Sequence, residues 1–180
     1  MNIIITGASK GLGKAIAETF AEDKQGHSFF ICARNKEELE LTGRELQGRF
    51  PRINMHTKTC NVADKNDLNA FVNWIMGLTD KIDILINNAG YGLFGALEEI
   101  SIDEAKKQFE TNLFGAMRTI KEVLPTMRKQ RNGIIINVTS LAGVVGIPAE
   151  CIYVSTKFAL EGLSESISYE LQPYEIKVIL

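Results

Sequence analysis

Cysteine is scarce in this chain and odd in number: Cys32, Cys60 and Cys151 stand far apart in 180 residues. That excludes a disulfide framework and points to a reducing cytoplasm. Cys151 is expected to be a small packing residue. Histidine is rarer still, and His27 and His56 are too separated to begin a metal site, so no metal is expected. No excess of one charge sign exists. The net charge of −2 gives no reason to expect nucleic acid or an anionic membrane surface as partner. Long hydrophobic runs are missing too. The longest, residues 133–136 and 142–148, are far shorter than the roughly 20 residues that span a bilayer. Met1 leads straight into Ile3-Ile4-Ile5, so no signal peptide is expected. No linker, repeat or low-complexity stretch divides the chain, and residues 1–180 are expected to be one domain.

What the chain has is an alternation of apolar β-type runs with amphipathic helical stretches. Strands are expected at Asn2–Thr6, Ser28–Ala33 and residues 53–59, 82–86, 133–139 and 176–180. The third is the least apolar, which suits a place near a sheet edge. Helices are expected at residues 13–23, 35–50, 64–78, 101–127 and 150–171. Asp64 can cap the third helix, and Ser101 with Glu104 has the spacing of a capping box. Pro51 and Pro173 stop the helices before them. Strands buried on both faces and joined by helices imply a doubly wound α/β fold with a parallel sheet. Leu180 stops inside an apolar strand, so a domain lacking its C-terminal segment is expected.

The first strand runs into Thr6-Gly7-Ala8-Ser9-Lys10-Gly11-Leu12-Gly13. Glycines allow a tight turn and close backbone approach, and the following helix N-terminus offers free N–H groups to a pyrophosphate. The spacing is G-x-x-x-G-x-G rather than the commoner G-x-G-x-x-G. At the first β–α junction of an alternating chain, it indicates dinucleotide binding.

TGASKGLG resembles the cofactor loop of the short-chain dehydrogenase/reductase family. Four further features match that family in order: Asn87-Asn88-Ala89-Gly90, Asn112 in a long helix, Ser140 after a strand, and Tyr153-x-x-x-Lys157. The resemblance spans residues 2–180. NNAGYGLFGALEE and YVSTKFALEGLSESISYEL look most like the hydroxysteroid-dehydrogenase-like branch, with a weaker similarity to bacterial sepiapterin-reductase-like members. The resemblance implies a Rossmann-type fold and a nicotinamide cofactor.

Cofactor choice has a physical argument beside it. An NAD enzyme carries an acid at the end of its second strand for the ribose 2′-hydroxyl. Here the residues are Ala33-Arg34, so no carboxylate at that place repels a 2′-phosphate, and Arg34 can pair with one. Lys10 adds a second positive charge. NADP(H) is therefore the expected cofactor. The family usually has Asp before Val62 to contact adenine; here it is Asn61, whose carboxamide oxygen can still accept a hydrogen bond. The resemblance places Asn88 as a brace to the sheet, with Ala89 and Gly90 close to the cofactor.

Tyr153 and Lys157 are one helical turn apart and share a face. A free phenol has a pKa of about 10, and a nearby ammonium favours its ionised form. Tyr153 can then give a proton to a carbonyl oxygen or take one from an alcohol. The resemblance implies that Lys157 also binds the nicotinamide ribose. Ser140, at the carboxyl end of a strand, can hydrogen-bond the substrate oxygen. Thr139 is the competing hydroxyl, and family spacing favours Ser140. An asparagine in mid-helix is unfavourable by propensity, and the resemblance implies that Asn112 holds a water in a proton relay with Lys157. Tyr91-Gly92-Leu93-Phe94 and the loop 143–149 are expected to wall an apolar substrate site.

The leading expectation is an oxidoreductase that moves a hydride between NADP(H) and a small carbonyl or secondary-alcohol substrate. The alternative is a catalytically weak or silent NADP(H)-binding regulatory protein that keeps the fold; the complete Ser140, Tyr153 and Lys157 set argues against it. The family often associates through its two long helices, here residues 101–127 and 150–171, so a homodimer or homotetramer is expected.

Overall fold

In a computed structural model, residues 1–23 and 25–180 are described. The strands are β1 (Asn2–Thr6), β2 (Ser28–Ala33), β3 (Asn54–Thr59), β4 (Ile84–Asn87), β5 (Gly133–Asn137) and β6 (Ile176–Ile179). They form one parallel sheet in the order β3-β2-β1-β4-β5-β6. The helices between them are α1 (Gly11–Ala21), α2 (Lys36–Arg49), α3 (Lys65–Met76), α4 (Ile102–Phe109), α5 (Gly115–Gln130) and α6 (Cys151–Leu171). This is a doubly wound, Rossmann-type α/β fold, as expected.

Strand periodicity of two divides the core between the faces. Ile3, Ile5, Phe29, Ile31 and Ile86 pack with Ala17, Leu39 and Leu46 of α1 and α2. Ile4, Phe30, Leu85 and Ile135 pack with residues of α3 and α5 on the other side, such as Phe71 and Val123. β1 is the centre of both clusters, and β3 lies at an edge with its side chains only partly covered. The chain winds outward from β1 to β3, returns to β4 beside β1, and winds the other way. That reversal opens a crevice at the carboxyl ends of β1 and β4, where such sheets bind ligands.

Several element ends differ from expectation for local reasons. The strand expected at residues 82–86 begins at Ile84, because the Gln130 carboxamide takes both backbone groups of Ile82. Asp64 caps α3 as expected, and Ser101 and Glu104 form the capping box of α4. The helix expected to run unbroken over residues 101–127 is interrupted. Glu110–Phe114 form a π-helical segment between α4 and α5, and Asn112 lies within it. β5 stops at Asn137, two residues earlier than expected.

Candidate active site

The glycine loop leaves β1 with Gly7 at φ 68° and reaches α1 through Gly11 at φ 56°, both left-handed conformations. Close packing explains two of its glycines. A Cβ on Gly7 would lie 2.8 Å from Ala89 Cα, and one on Gly13 would lie 2.5 Å from Gly7 O. Thr6 and Asn88 bind the loop to the end of β4. Thr6 Oγ1 accepts from the N–H groups of Asn88 and Ala89, both at 3.1 Å. Asn88 Nδ2 donates to Thr6 O at 3.0 Å and to Gly7 O at 2.9 Å. The expected bracing by Asn88 is therefore specific: it ties the turn after β1 to β4.

The α1 N-terminus differs from those of α2, α3 and α4. Asn35, Asp64 and Ser101 cap the latter three with side chains, and acids occupy their first turns. At α1 the N-cap position is Lys10, with no side-chain cap and no acid in the first turn. Its free N–H groups and positive dipole end face a cleft of about 750 Å³. Gly7, Ser9, Lys10, Leu12, Arg34, Asn61, Val62, Asn88, Ala89 and Gly90, all cofactor candidates, line that cleft. Gly11 and Gly13 shape its loop instead. Space, backbone donors and two cations fit a dinucleotide with its pyrophosphate on α1.

Cys60, Glu38, Tyr91 and Thr111 also line the cleft. Glu38 reaches the cleft from the first turn of α2 rather than from the end of β2, so the sequence at the strand end gives no sign of it. At Asn61 the carboxamide oxygen accepts from the Ala63 N–H at 3.2 Å. That bond shapes the turn and leaves one lone pair for a further donor. Gly115 of α5 backs this turn, and a Cβ there would press on Val62 at 2.8 Å.

Tyr153, Lys157, Ser140 and Asn112 do not line the nucleotide cleft itself; they gather beyond the ends of β4 and β5. Because β5 ends early, the Val138 carbonyl is free of the ladder and accepts from Lys157 Nζ at 2.7 Å. The ammonium lies 5.7 Å from the centroid of the Tyr153 ring. Burial pushes the Lys157 ammonium below the usual lysine value, and the Glu161 carboxylate opposes that shift. The Tyr153 hydroxyl has no protein partner among the described residues, and the ring is half-buried.

The two competing hydroxyls after β5 are separated by their bonding. Thr139 donates to Glu161 Oε1 at 2.6 Å and is committed to α6. Ser140 Oγ accepts from the Ala142 N–H at 3.2 Å, and its own proton has no protein acceptor among the described residues. Ser140 thus keeps a donor for a ligand oxygen.

The Asn112 side chain makes three hydrogen bonds. It accepts from Tyr91 N–H at 3.0 Å and donates to Tyr91 O at 2.9 Å and Thr156 Oγ1 at 3.2 Å. Gln108, one turn earlier, donates to the same Tyr91 carbonyl at 2.9 Å. Together they lock Tyr91, which lines the nucleotide cleft, to the helix that carries Lys157. Gln108 was missed by sequence reasoning, since a glutamine in an amphipathic helix gives no sign that it is buried. Just after the stretch Tyr91–Phe94, Gly95 N–H donates to Ala149 O at 2.9 Å, which joins it to the loop 143–149. Phe94, Val144 and Val145 are exposed on them.

Comparison with known proteins agrees with this geometry. The family model described as short chain dehydrogenase matches residues 1–180. The 3-ketodihydrosphingosine reductase of Bacteroides thetaiotaomicron is 40% identical over 178 residues, covering 99% of this chain and 61% of that protein. Human retinol dehydrogenase 8 is 34% identical, covering 99% of this chain and 56% of the relative. The chain thus spans about three-fifths of the length of these relatives. Among solved structures, a metagenomic short-chain oxidoreductase in complex with NADP superposes with a TM-score of 0.92 at 28% identity, covering 99% of this chain and 79% of that one. An NAD+-bound xylitol dehydrogenase superposes at 0.88, also with 28% identity, covering 97% and 66%. With a glycine-turn cleft against α1, and Tyr153 and Lys157 one turn apart beyond β5, the chain belongs to the short-chain dehydrogenase/reductase family.

Proposed function

We propose that residues 1–180 form one dinucleotide-binding and catalytic domain of an NADP(H)-dependent oxidoreductase. It interconverts a carbonyl compound and a secondary alcohol, with Tyr153 as proton donor and acceptor. The observation that carries this reading is the anchoring of Lys157 on the Val138 carbonyl at 2.7 Å, with its ammonium near the Tyr153 ring. When bound, the nicotinamide supplies or receives the hydride. The chain's own residues do the rest. Tyr153 passes a proton to or from the substrate oxygen. Lys157 holds its ammonium beside the Tyr153 ring, and Ser140 donates a hydrogen bond to the same oxygen. Asn112 holds Tyr91 and α6 in place through its side chain and serves a water relay toward Lys157.

Arg34 and Lys10 support NADP(H) over NAD(H), because both are cations within the cleft and Arg34 has no carboxylate partner among the described residues. Known relatives of the fold carry either cofactor, so the choice rests on these side chains. Exposed Phe94 of the stretch 91–94, with Val144 and Val145 of the loop 143–149, supports an apolar substrate, as do relatives named for a sphingoid ketone and for retinol. The stretches quoted above support a place near the hydroxysteroid-dehydrogenase-like branch. No helix is long and apolar enough to cross a membrane among the described residues. We infer a cytoplasmic homodimer or homotetramer.

Tyr153→Phe tests the mechanism. The ring keeps its packing, so NADPH binding should persist by fluorescence titration. Turnover of an accepted carbonyl substrate should fall by about 10²–10⁴-fold, the usual worth of general acid–base catalysis. A variant retaining more than about a tenth of wild-type kcat would place the proton elsewhere. A silent binding protein would show no turnover to lose.

A further inference from the structure

We propose that Glu38 is a specificity-determining residue of the nucleotide cleft, whose carboxylate occupies the groups a ribose 2′-phosphate needs and so moderates the preference for NADP(H). The inference rests on assigning this cleft to a nicotinamide dinucleotide.

The end of β2 carries no acid, yet the cleft contains one. Asn35 caps α2 and accepts the Glu38 N–H at 3.1 Å, which fixes Glu38 in the first helical turn. From there the side chain lines the cleft between the glycine loop and Arg34. Glu38 Oε1 lies 3.2 Å from Lys10 Nζ, and Oε2 lies 3.5 Å from Ser9 Oγ. Both loop side chains able to contact an incoming phosphate are therefore turned toward a carboxylate. Arg34 is exposed and makes no ion pair among the described residues.

The local charge is thus two cations and one anion. A 2′-phosphate entering this site gains Arg34 directly, but it must displace Glu38 from Lys10 and is repelled by the freed carboxylate. A ribose 2′-hydroxyl meets neither cost, since it can donate a hydrogen bond to Glu38 where it stands. The same residue therefore weakens NADP(H) and favours NAD(H), narrowing a gap that Arg34 opens. Side-chain exposures of 76% for Lys10 and 40% for Glu38 mean that water and salt screen the effect to a modest size.

The test is binding, not turnover. NADPH and NADH are titrated by nicotinamide fluorescence against the full chain, its Glu38→Gln and Arg34→Ala variants, and a Lys10→Ala, Glu38→Gln double variant compared with Lys10→Ala. Melting curves check that each variant folds. Glu38→Gln should tighten NADPH by about fivefold and change NADH by less than about twofold, the scale of an exposed charge interaction. The gain should shrink when Lys10 is already absent. An unchanged NADPH-to-NADH ratio in Glu38→Gln overturns the inference. If Arg34→Ala still weakens NADPH selectively, that failure leaves the cofactor reading intact. If the wild type shows no NADPH preference and Arg34→Ala changes nothing, the cofactor reading falls, and the ratio shift in Glu38→Gln still decides the role of Glu38. If neither nucleotide binds, both fall.

Discussion

Lys157 is 7% exposed and carries a charge that burial disfavours. Its one protein hydrogen bond among the described residues, to Val138 O, holds the ammonium in place but does not replace its hydration shell. The sign of the consequence is definite. Below the lowered folded value the lysine is charged in both folded and unfolded chains, and the burial cost is fully present. Between that value and the ordinary 10.5, the unfolded chain binds the extra proton, so stability rises with pH as the cost is relieved. Urea melts of the wild type and Lys157→Met across that alkaline window should show the wild type gaining on the variant as pH rises. A constant difference would mean that the buried ammonium is solvated in some other way.

At the level of elements, the interruption between α4 and α5 has the largest effect on the site. A π-helical turn widens the backbone and rotates the residues after it relative to those before it. Here it places Asn112 against Tyr91 and Thr156, while Gly115 meets Val62 beside the nucleotide cleft. One helix thereby supports both halves of the site. Its start is a separate matter, stabilised by the Ser101–Glu104 capping box, whose residues do not line the nucleotide cleft. Ser101→Ala should lower stability by about 0.5–2 kcal/mol, the ordinary worth of an N-cap, and leave NADPH affinity unchanged. Asn112→Ala removes three hydrogen bonds and should lower both stability and NADPH affinity, because Tyr91 is then released into the cleft. Equal effects of the two variants on cofactor binding would dissociate the π segment from the site.

For the whole molecule, the sheet order concentrates stability and leaves function at its margin. β1 is covered on both faces, and Ile4 is fully buried. Ile4→Ala should cost about 2–5 kcal/mol in a urea melt, the range for truncating a well-packed core residue. Thr59, exposed at the end of edge strand β3, should tolerate alanine within about 0.5 kcal/mol. A similar cost at both positions would contradict the layered packing. The candidate groups come from the ends of β1, β2, β3, β4 and β5, from the π-helical segment and from α6. No local unit contains the site, and only the complete sheet assembles it.

The strand-and-helix alternation, the glycine turn, the caps at Asp64 and Ser101, and the Tyr153–Lys157 pair were legible in the sequence, because each depends on residues a few positions apart. Periodicity of two and of 3.6, cap chemistry and positive φ are local properties, and local sequence determines them. The edge place of β3 was legible as well, since an edge strand needs fewer apolar residues. What the sequence did not contain were decisions made between distant segments. Gln130 shortens β4 by binding Ile82, 48 residues away, and Lys157 takes a carbonyl that β5 gives up. The π turn at Asn112 exists because burial rewards three bonds to Tyr91 and Thr156 over a regular helix. Glu38 enters the cleft because α2 packs back on β2 and β3 with its first turn against the glycine loop, a contact between segments almost thirty residues apart. Hydrogen bonds and charges act over a few ångströms in space regardless of separation along the chain, so these features belonged to the tertiary structure alone.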